Sequence, residues 1–347
     1  MNRALGRGLA LGAGSLLAYA AGRAALRRSR DFNYRDKTAL ITGGSRGLGL
    51  VIARRLVDQG ARVALLARTQ ADLEVAAEEL RARGGVVSVH PCDVSDKAAV
   101  ERAVADAAQQ HPSIDLLFNV AGVIEVGPFD AMRVEDFHKS MATNCWGILH
   151  TVIAVLPHMR RRRWGRIVNI ASLGGKRAVP HMLPYCVSKF AAVGLSHGLR
   201  TELAKHGVLV TTVCPSLMRT GSPRNALFKG QHRKEYAWFS IGDSLSFTSM
   251  EADAAAQQIL QACRHGRAEL IARDHTNLGV VLQNLLPGVT REVLTAADRL
   301  LPEMGGIGRQ AARGHESTSG WSPSWLTRLS EQAARRNNQM RDRSPSV

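Results

Sequence analysis

This 347-residue chain contains only five cysteines. The cysteines are odd in number, lie far apart and form no CxxC pair: Cys92, Cys145, Cys186, Cys214 and Cys263. This pattern indicates neither a disulfide framework nor a zinc site, and it suits a reducing compartment. The twelve histidines form no HExxH motif and no cluster with cysteine. We therefore predict that the chain holds no metal.

Acidic residues are also scarce, and the formal net charge is +17. The sequence lacks a basic stripe interleaved with aromatic residues, which argues against nucleic-acid binding. It also lacks internal repeats and low-complexity blocks. With 45% hydrophobic and 22% charged residues, the chain has the composition of an ordinary globular protein. The excess positive charge therefore points to anionic lipid or to a phosphorylated ligand.

The first thirty residues hold six arginines and no acid. Within them, residues 8–22 are uncharged and apolar, but this run is shorter than the about 20 residues of a spanning helix. The arginines that follow favour keeping that side of the run in the cytoplasm. We predict that residues 1–30 anchor the chain to a membrane, with the rest on the cytoplasmic side. A mitochondrial transit peptide, a signal cleaved after Ala18-Tyr19-Ala20, and a disordered tail on a soluble cytoplasmic protein remain alternatives.

From Lys37 onward, short β-branched runs alternate with longer amphipathic stretches. This alternation is typical of successive βα units, so we predict the α/β class with a doubly wound parallel sheet. The predicted strands are Thr38 to Thr42, Arg62 to Ala67, Val86 to Pro91, Leu116 to Asn119, Arg166 to Ala171, Leu209 to Val213 and Glu269 to Ala272. The predicted helices are Leu48 to Gln59, Ala71 to Arg83, Ala98 to Gln110, Val134 to Met159, Tyr185 to His206 and Met250 to His265.

We divide the chain into an N-terminal segment at residues 1–30, a single α/β domain at 31–275 and a helical, partly disordered extension at 276–347. In the extension, Thr290 to Leu301 is amphipathic and Gly305 to Gly320 is typical of a loop. Ser322-Pro323 is predicted to cap and open a short helix that runs through Arg336.

A glycine-rich turn, Thr42 to Gly49, joins the first predicted strand to a helix. Glycines there permit a tight turn and let the backbone approach a diphosphate, which the positive N-terminus of the helix favours. A strand before and a helix after make this context specific. The sequence therefore predicts a dinucleotide site.

The residue after the second strand distinguishes NAD from NADP. An acid at that position binds the ribose 2′-hydroxyl and repels a 2′-phosphate. This chain has Arg68 there, and the nearest downstream acid, Asp72, follows one helical turn later. Arg46 in the glycine turn adds a second cation. Because guanidinium groups bind phosphate in a bidentate manner, we predict NADP(H) as the cofactor.

Tyr185 and Lys189 are spaced i and i+4, so they share one face of a predicted helix. Ser172 lies thirteen residues upstream, just past a predicted strand end, where side chains line the ligand crevice. A carbonyl that accepts hydride must also accept a proton, and an ordinary tyrosine with a pKa near 10 is a weak donor or base at neutral pH. We expect Lys189 to lower that pKa and Ser172 to hydrogen-bond the substrate oxygen.

Together these motifs resemble the short-chain dehydrogenase/reductase family over about Lys37 to Ala272, with its Rossmann-like catalytic domain. The resemblance implies Ser172, Tyr185 and Lys189 as catalytic residues, and Asn144 as the asparagine that helps to hold a water-linked proton relay to the lysine. It implies cofactor contacts from Thr42, Gly43, Ser45, Arg46, Gly47, Leu48, Gly49, Arg68, Asp93, Val94, Asn119, Ala121, Gly122, Tyr185, Lys189 and Thr220.

Two positions depart from the family pattern. Val120 replaces the second asparagine of the turn that begins at Asn119, and Ser216 follows Pro215 where glycine is typical. Neither change removes a catalytic group, although Ser216 bears on how closely the backbone approaches the nicotinamide.

In this family the segment after Thr220 closes over the substrate, here about Gly221 to Phe247. Its aromatic residues, Tyr236, Trp238 and Phe239, predict an apolar pocket or simply pack the lid onto the core. We predict hydride transfer to or from a lipophilic carbonyl or alcohol. The alternative is a membrane-tethered NADP-binding scaffold or redox sensor without turnover. The resemblance also implies a homo-oligomer assembled through the helices that hold Asn144 and Tyr185.

Overall fold

A computed structural model of the protein describes residues 21–22, 24–272, 280–283 and 285–340. The apolar run at 8–22, on which the predictions for the N-terminus depend, lies outside these residues except for its last two. No helix among the described residues is long and apolar enough to cross a bilayer.

A seven-stranded parallel sheet forms the centre of the domain, in the order β11-β7-β6-β4-β1-β2-β3. Every residue of β1, TALIT, is buried, as expected for a parallel strand with helices on both faces. The predicted α/β class and doubly wound sheet are confirmed. In chain order the strands are β1 (Thr38–Thr42), β2 (Arg62–Ala67), β3 (Val87–Pro91), β4 (Leu116–Asn119), β5 (Glu125–Val126), β6 (Gly165–Ile170), β7 (Val208–Pro215), β8 (Leu217–Arg219), β9 (Leu227–Phe228), β10 (Ser249–Glu251), β11 (Glu269–Ala272) and β12 (Ala312–Arg313).

Helices cover both faces of this sheet. From the glycine turn onward they are α1 (Gly47–Val57), α2 (Gln70–Ala82), α3 (Lys97–Gln110), α4 (Val134–Met141), α5 (Gly147–Arg162), α6 (Leu183–Leu203), α7 (His232–Ser244), α8 (Ala252–Arg264), α9 (Pro287–Asp298) and α10 (Arg328–Arg336). One apolar core lies between the sheet and α1, α2 and α8, and a second lies between the sheet and α3, α5 and α6.

The strand order reverses beside β1. The chain runs from β1 outward through β2 to β3, and then returns to place β4 on the other side of β1. The registers set Thr42 at the end of β1 beside Asn119 at the end of β4. At such a reversal the connections diverge to opposite faces and leave a crevice at the carboxyl ends of the strands. The site is expected in this crevice.

The predicted bounds of most elements differ from the observed bounds by one or two residues. The chain is helical throughout the predicted helix from Val134 to Met159 and on to Arg162, but the sequence did not indicate the π-helical segment at Ala142–Trp146 that lies between α4 and α5. The helix predicted to start at Met250 begins at Ala252, because Ser249–Glu251 pairs with β8.

The C-terminal extension is more structured than the sequence indicated. Residues predicted as loop contain β12, which pairs antiparallel with β9 of the lid. The predicted cap at Ser322-Pro323 is wrong. Instead, the Ser324 hydroxyl accepts a hydrogen bond from Leu326 N at 3.2 Å and caps a 3-10 turn, and α10 begins only at Arg328.

Candidate active site

The glycine turn lies against the turn that follows β4. Gly43 has φ +67°, and a Cβ added there would lie 3.0 Å from the backbone N and Cα of Ala121. A Cβ at Gly49 would lie 2.2 Å from the carbonyl oxygen of Gly43. Only glycine permits this approach, which keeps the N-terminus of α1 open to a ligand.

Two predicted cofactor residues stand behind the crevice and do not line it. The Thr42 hydroxyl accepts hydrogen bonds from the backbone N of Val120 and Ala121 at 3.0 and 3.1 Å. The Asn119 amide donates to Asn169 Oδ1 at 2.9 Å and accepts from the Thr151 hydroxyl at 2.7 Å. Both side chains are buried, and the crevice lining does not include them. They hold the strand ends in place.

The other predicted site residues, apart from Asn144, surround one cavity of about 600 Å³. This volume is within the usual range for small-molecule sites. The lining brings together Gly43, Ser45, Arg46, Gly47, Leu48, Gly49, Arg68, Asp93, Val94, Ala121, Gly122, Ser172, Tyr185, Lys189 and Thr220.

Charged residues mark one end of this cavity. Arg68 is exposed just past β2, and Arg46 lines the same wall. Asp93, just after β3, is oriented by hydrogen bonds from the Ser95 backbone N at 2.9 Å and the Ser95 hydroxyl at 2.7 Å. Asp72 also lines the cavity, so the carboxylates of Asp72 and Asp93 line it together with the two arginines. The glycine cradle and the two guanidinium groups fit a dinucleotide that carries an additional phosphate.

Tyr185 and Ser172 meet at the other end of the cavity. Burial raises the pKa of Tyr185 to about 12, and a hydrogen bond with Ser172 opposes that rise. The predicted lowering by Lys189 is therefore not the dominant effect. A tyrosine with this pKa remains a neutral phenol at neutral pH, which is the form that donates a proton.

Lys189 is buried beside this phenol. Its Nζ lies 5.7 Å from the centre of the Tyr185 ring and donates to the Ile170 carbonyl at 2.9 Å. Burial lowers the pKa of Lys189 to about 8, because a charged ammonium is costly away from water. The i and i+4 spacing thus brings the two groups together, as predicted, but burial shifts the pKa of each toward its neutral form.

Asn144 lies in the π-helical segment and does not line the cavity. Its side-chain amide donates to the Ser188 hydroxyl at 2.9 Å and to the Val123 carbonyl at 3.0 Å, and its Oδ1 accepts from the Val123 N. A Cβ on Gly122 would lie 3.0 Å from Asn144 Oδ1 and 3.7 Å from Lys189 Nζ. Asn144 therefore connects the β4 turn to the helix that carries Tyr185.

The lid aromatics divide between the two roles considered for them. Tyr236 and Phe239 are buried and pack edge-on against Phe228 of β9. Trp238 and Phe239 also line the cavity. The Trp238 Nε1 donates at 2.6 Å to Glu235, a fully buried residue that also binds His181 at 2.7 Å. Hydrogen bonds of the buried Glu235 thus hold the lid in place, while its aromatic side chains line the cavity.

Several polar lining residues were not predicted, among them Arg177, Asp243 and Gln339. Burial raises the pKa of Asp243 to about 7, and its carboxylate accepts a hydrogen bond from Ser330 of α10 at 2.8 Å. These residues carry no local motif. Only the folded structure shows that they line the cavity, because distant parts of the chain bring them there.

A dinucleotide crevice that ends at a buried tyrosine and lysine defines a nicotinamide-dependent oxidoreductase. The chain belongs to the short-chain dehydrogenase family, because the family model described as short chain dehydrogenase matches residues 37–227. It is an oxidoreductase that transfers hydride to or from a carbonyl or alcohol, with NADP(H) as its cofactor.

Similar proteins include a putative ketoacyl reductase of granaticin polyketide synthase from Streptomyces violaceoruber, 40% identical over 52% of this chain and 68% of the relative. The fatty acyl-CoA reductase of Acinetobacter baylyi is 36% identical over 54% of this chain and 64% of the relative. Rat 17-beta-hydroxysteroid dehydrogenase 13 is 28% identical over 76% and 83%.

Solved structures show the same fold. Actinorhodin polyketide ketoreductase with NADPH has a TM-score of 0.61 and 30% identity, and the match covers 68% of this chain and 95% of that one. NAD+-bound xylitol dehydrogenase has a TM-score of 0.60 and 25% identity, and the match covers 70% and 99%.

The lowered pKa of Lys189 predicts how stability depends on pH. The pKa is about 8 in the folded protein and 10.5 for an ordinary lysine, so between these values the unfolded chain binds more protons and stability rises with pH. Between roughly pH 7.5 and 9.5, the free energy of unfolding of the wild type should rise by about 2 kcal/mol more than that of Lys189→Met. Urea unfolding at each pH measures both. Parallel pH profiles would contradict the lowered pKa.

Proposed function

We propose that Tyr185 is the general acid and base for hydride transfer at a lipophilic carbonyl or alcohol. The observation that carries this proposal is the buried Tyr185 phenol, hydrogen-bonded with Ser172 at the apolar end of the cavity. When bound, NADP(H) supplies or accepts the hydride at the substrate carbon.

In the reducing direction, the Tyr185 hydroxyl gives its proton to the substrate oxygen as that oxygen gains negative charge. The Ser172 hydroxyl donates a hydrogen bond to the same oxygen and stabilises the developing charge. Lys189 favours the resulting phenolate, because its ammonium lies under the ring. Asn144 positions the helix that holds Tyr185 and Lys189 through Ser188, which accepts from its amide. Oxidation uses the same groups in reverse.

Contacts with the cofactor are assigned to the two sides of the crevice. Gly43, Gly47 and Gly49 admit the diphosphate to the N-terminus of α1, and Arg46 and Arg68 hold the 2′-phosphate. Asp93, Val94, Ala121 and Gly122 face the adenosine side, and Thr220 contacts the carboxamide. Thr42 and Asn119 act through the backbone and strand ends that they hold.

The substrate end of the cavity supports a lipophilic substrate. It is lined by apolar side chains from the lid, from β8 and from the segment before α6: Val179, Met182, Leu217, Trp238, Phe239 and Phe247. The names of the relatives, a ketoacyl reductase, a fatty acyl-CoA reductase and a hydroxysteroid dehydrogenase, all denote reactions on lipid-like carbonyl or alcohol compounds. We assign this substrate class to the present chain.

We also propose that the protein docks on a membrane surface. Besides its basic N-terminal segment, it exposes an apolar face at residues 285–300, where Leu285, Leu286, Val289, Val293 and Leu300 are 52 to 88% exposed. This face adjoins the segment before α6, because Gln283 donates to the Lys176 carbonyl at 2.9 Å and Asp298 lies 3.7 Å from His181. The same segment lines the cavity through Val179. An apolar helix face of this kind binds lipid headgroup regions.

We retain the division at residues 30 and 275, and we propose a homo-oligomer. The helices that hold Asn144 and Tyr185 expose apolar side chains to solvent, namely Trp146, Ile153, Val187 and Phe190. Pairing of these faces would bury them.

Tyr185→Phe is expected to lower kcat at least about 100-fold, because the proton donor is lost, and to leave NADPH binding intact. Turnover is measured with NADPH against a panel of hydrophobic ketones and aldehydes. Tyr34→Phe is the matched control, since the Tyr34 hydroxyl donates to the Leu260 carbonyl outside the cavity. Wild-type protein that binds NADPH but turns over no carbonyl would favour the scaffold or redox sensor.

Arg68→Asp is expected to shift preference from NADP to NAD, because a carboxylate repels a 2′-phosphate and accepts from the ribose 2′-hydroxyl. The ratio of kcat/KM for the two cofactors should fall by about tenfold or more, as expected for loss of a charged hydrogen bond. Arg102→Asp is the matched control, since it makes the same change of charge on the exposed surface of α3. An unchanged ratio in Arg68→Asp would show that Arg68 does not bind the 2′-phosphate.

Membrane docking predicts that the full chain sediments with anionic lipid vesicles, whereas a chain beginning at Asp31 remains largely in the supernatant. The triple change Leu286→Ser, Val289→Ser and Val293→Ser tests the apolar face separately and should weaken sedimentation. Val86→Ser, an exposed apolar position on another surface, is the control. A full chain that does not sediment with vesicles would rule out docking.

A further inference from the structure

The end of the C-terminal extension lies across the glycine turn. The carbonyl of Asn337 accepts a hydrogen bond from the backbone N of Gly47 at 2.9 Å. Gly47 opens α1, and its N–H is one of the donors that a helix leaves without an internal partner at its N-terminus. The extension therefore occupies one of the donors at the cofactor end of α1.

A cap at the C-terminus of α10 holds the extension in this position. Asn338 has φ +56°, and the backbone N of Gln339 donates to the Ala334 carbonyl at 2.9 Å, which is the Schellman pattern. Arg54 of α1 donates to the Arg336 carbonyl at 2.8 Å and to Asn337 Oδ1 at 3.0 Å. The carbonyls of Ala334, Arg336 and Asn337 at the negative end of α10 thus each accept a hydrogen bond, which reduces the negative charge that they present to an anion nearby.

This cap directs the Gln339 side chain toward α1. Gln339 Oε1 accepts from Asn225 Nδ2 at 2.6 Å, so the other side-chain atom, Nε2, faces away from Asn225. A Cβ on Gly47 would lie only 2.7 Å from this Nε2. Gln339 therefore places a neutral N–H donor over the first turn of α1, inside the cavity lining.

Asn225 extends the same contact to the arginine of the glycine turn. Its Oδ1 accepts from Arg46 Nη1 at 3.3 Å while its Nδ2 donates to Gln339. The lid is also tied to the extension, because Arg224 pairs with Glu331 at 3.1 Å and Gly221 lies directly against Ala334. The C-terminal extension thus contacts the lid and the first turn of α1, and Asn225 connects it to Arg46.

We infer that Gln339 is a cofactor-binding residue that donates a hydrogen bond to the diphosphate, and that residues 328–340 hold it in the wall of the dinucleotide site. A backbone carbonyl of the extension accepts the hydrogen bond of the Gly47 N–H, so this donor is not available to the diphosphate. The Gln339 amide supplies a donor that replaces it. This inference rests on the proposed role of the glycine turn in binding the diphosphate.

The dissociation constants of NADPH and NADH, measured by nicotinamide fluorescence, test the inference. Gln339→Ala should raise both by a similar factor, up to about tenfold, because the diphosphate is common to the two cofactors. Gln339→Glu should raise both further, since a carboxylate repels phosphate. Gln332→Ala, an exposed glutamine on the same helix, is the matched control and should leave both unchanged.

The shift in melting temperature at a fixed NADPH concentration gives a second readout and should shrink with the loss of affinity. Unchanged dissociation constants for Gln339→Ala would overturn the inference, and so would tighter binding, which would mean that the extension competes with the cofactor. Failure of the proposed 2′-phosphate or proton-transfer roles is distinguishable, because it appears in Arg68→Asp or Tyr185→Phe and not in the Gln339 variants.

Discussion

The position of this site depends on the close contact between the backbone turns that follow β1 and β4, at the carboxyl end of the sheet. Gly43 comes so close to Ala121 that a single methyl group would fill the gap, and the Thr42 hydroxyl ties both N–H groups of the second turn to the first strand. Because β1 and β4 send their connections to opposite faces, this contact fixes where the crevice opens. The N-terminus of α1 and the strand end before Ser172 are positioned relative to it.

Desolvation is the second constraint, and it acts on both halves of the catalytic pair. Burial raises the pKa of Tyr185 and lowers the pKa of Lys189, so both neutral forms are favoured. Elementary charge pairing predicts pKa shifts in the opposite direction, toward a phenolate beside an ammonium. The folded site instead holds a proton donor ready for a substrate oxygen. The hydrogen bond with Ser172 opposes the rise in the pKa of Tyr185, and Lys189 Nζ donates to the Ile170 carbonyl.

The C-terminal extension shows how a segment without a motif becomes part of a site. Its 3-10 turn, helix α10 and final cap bring Ser330 to Asp243, Glu331 to Arg224 and Gln339 to the glycine turn. Each contact joins residues separated by more than eighty positions in the chain. The lid and the cofactor crevice are thereby supported from the same helix.

Local patterns in the sequence were enough for the parallel sheet, the glycine turn and the Tyr185–Lys189 face. These depend on periods of two and 3.6 residues and on glycine conformations, which neighbouring residues decide. The π-helical turn at Ala142–Trp146 was not predictable in this way, since the hydrogen bonds of the buried Asn144 to Val123 and Ser188 depend on tertiary structure.

Tertiary structure alone decided which predicted residues face the ligand. Thr42 and Asn119 fit a cofactor motif, yet their side chains form hydrogen bonds with other groups of the protein. Gln339 fits no motif, yet it lines the cavity. The sequence by itself determined the chemical groups of the site and the strands that carry them. Which of those groups are exposed, and how strongly each holds its proton, depended on long-range packing, because burial and distance are properties of the folded chain.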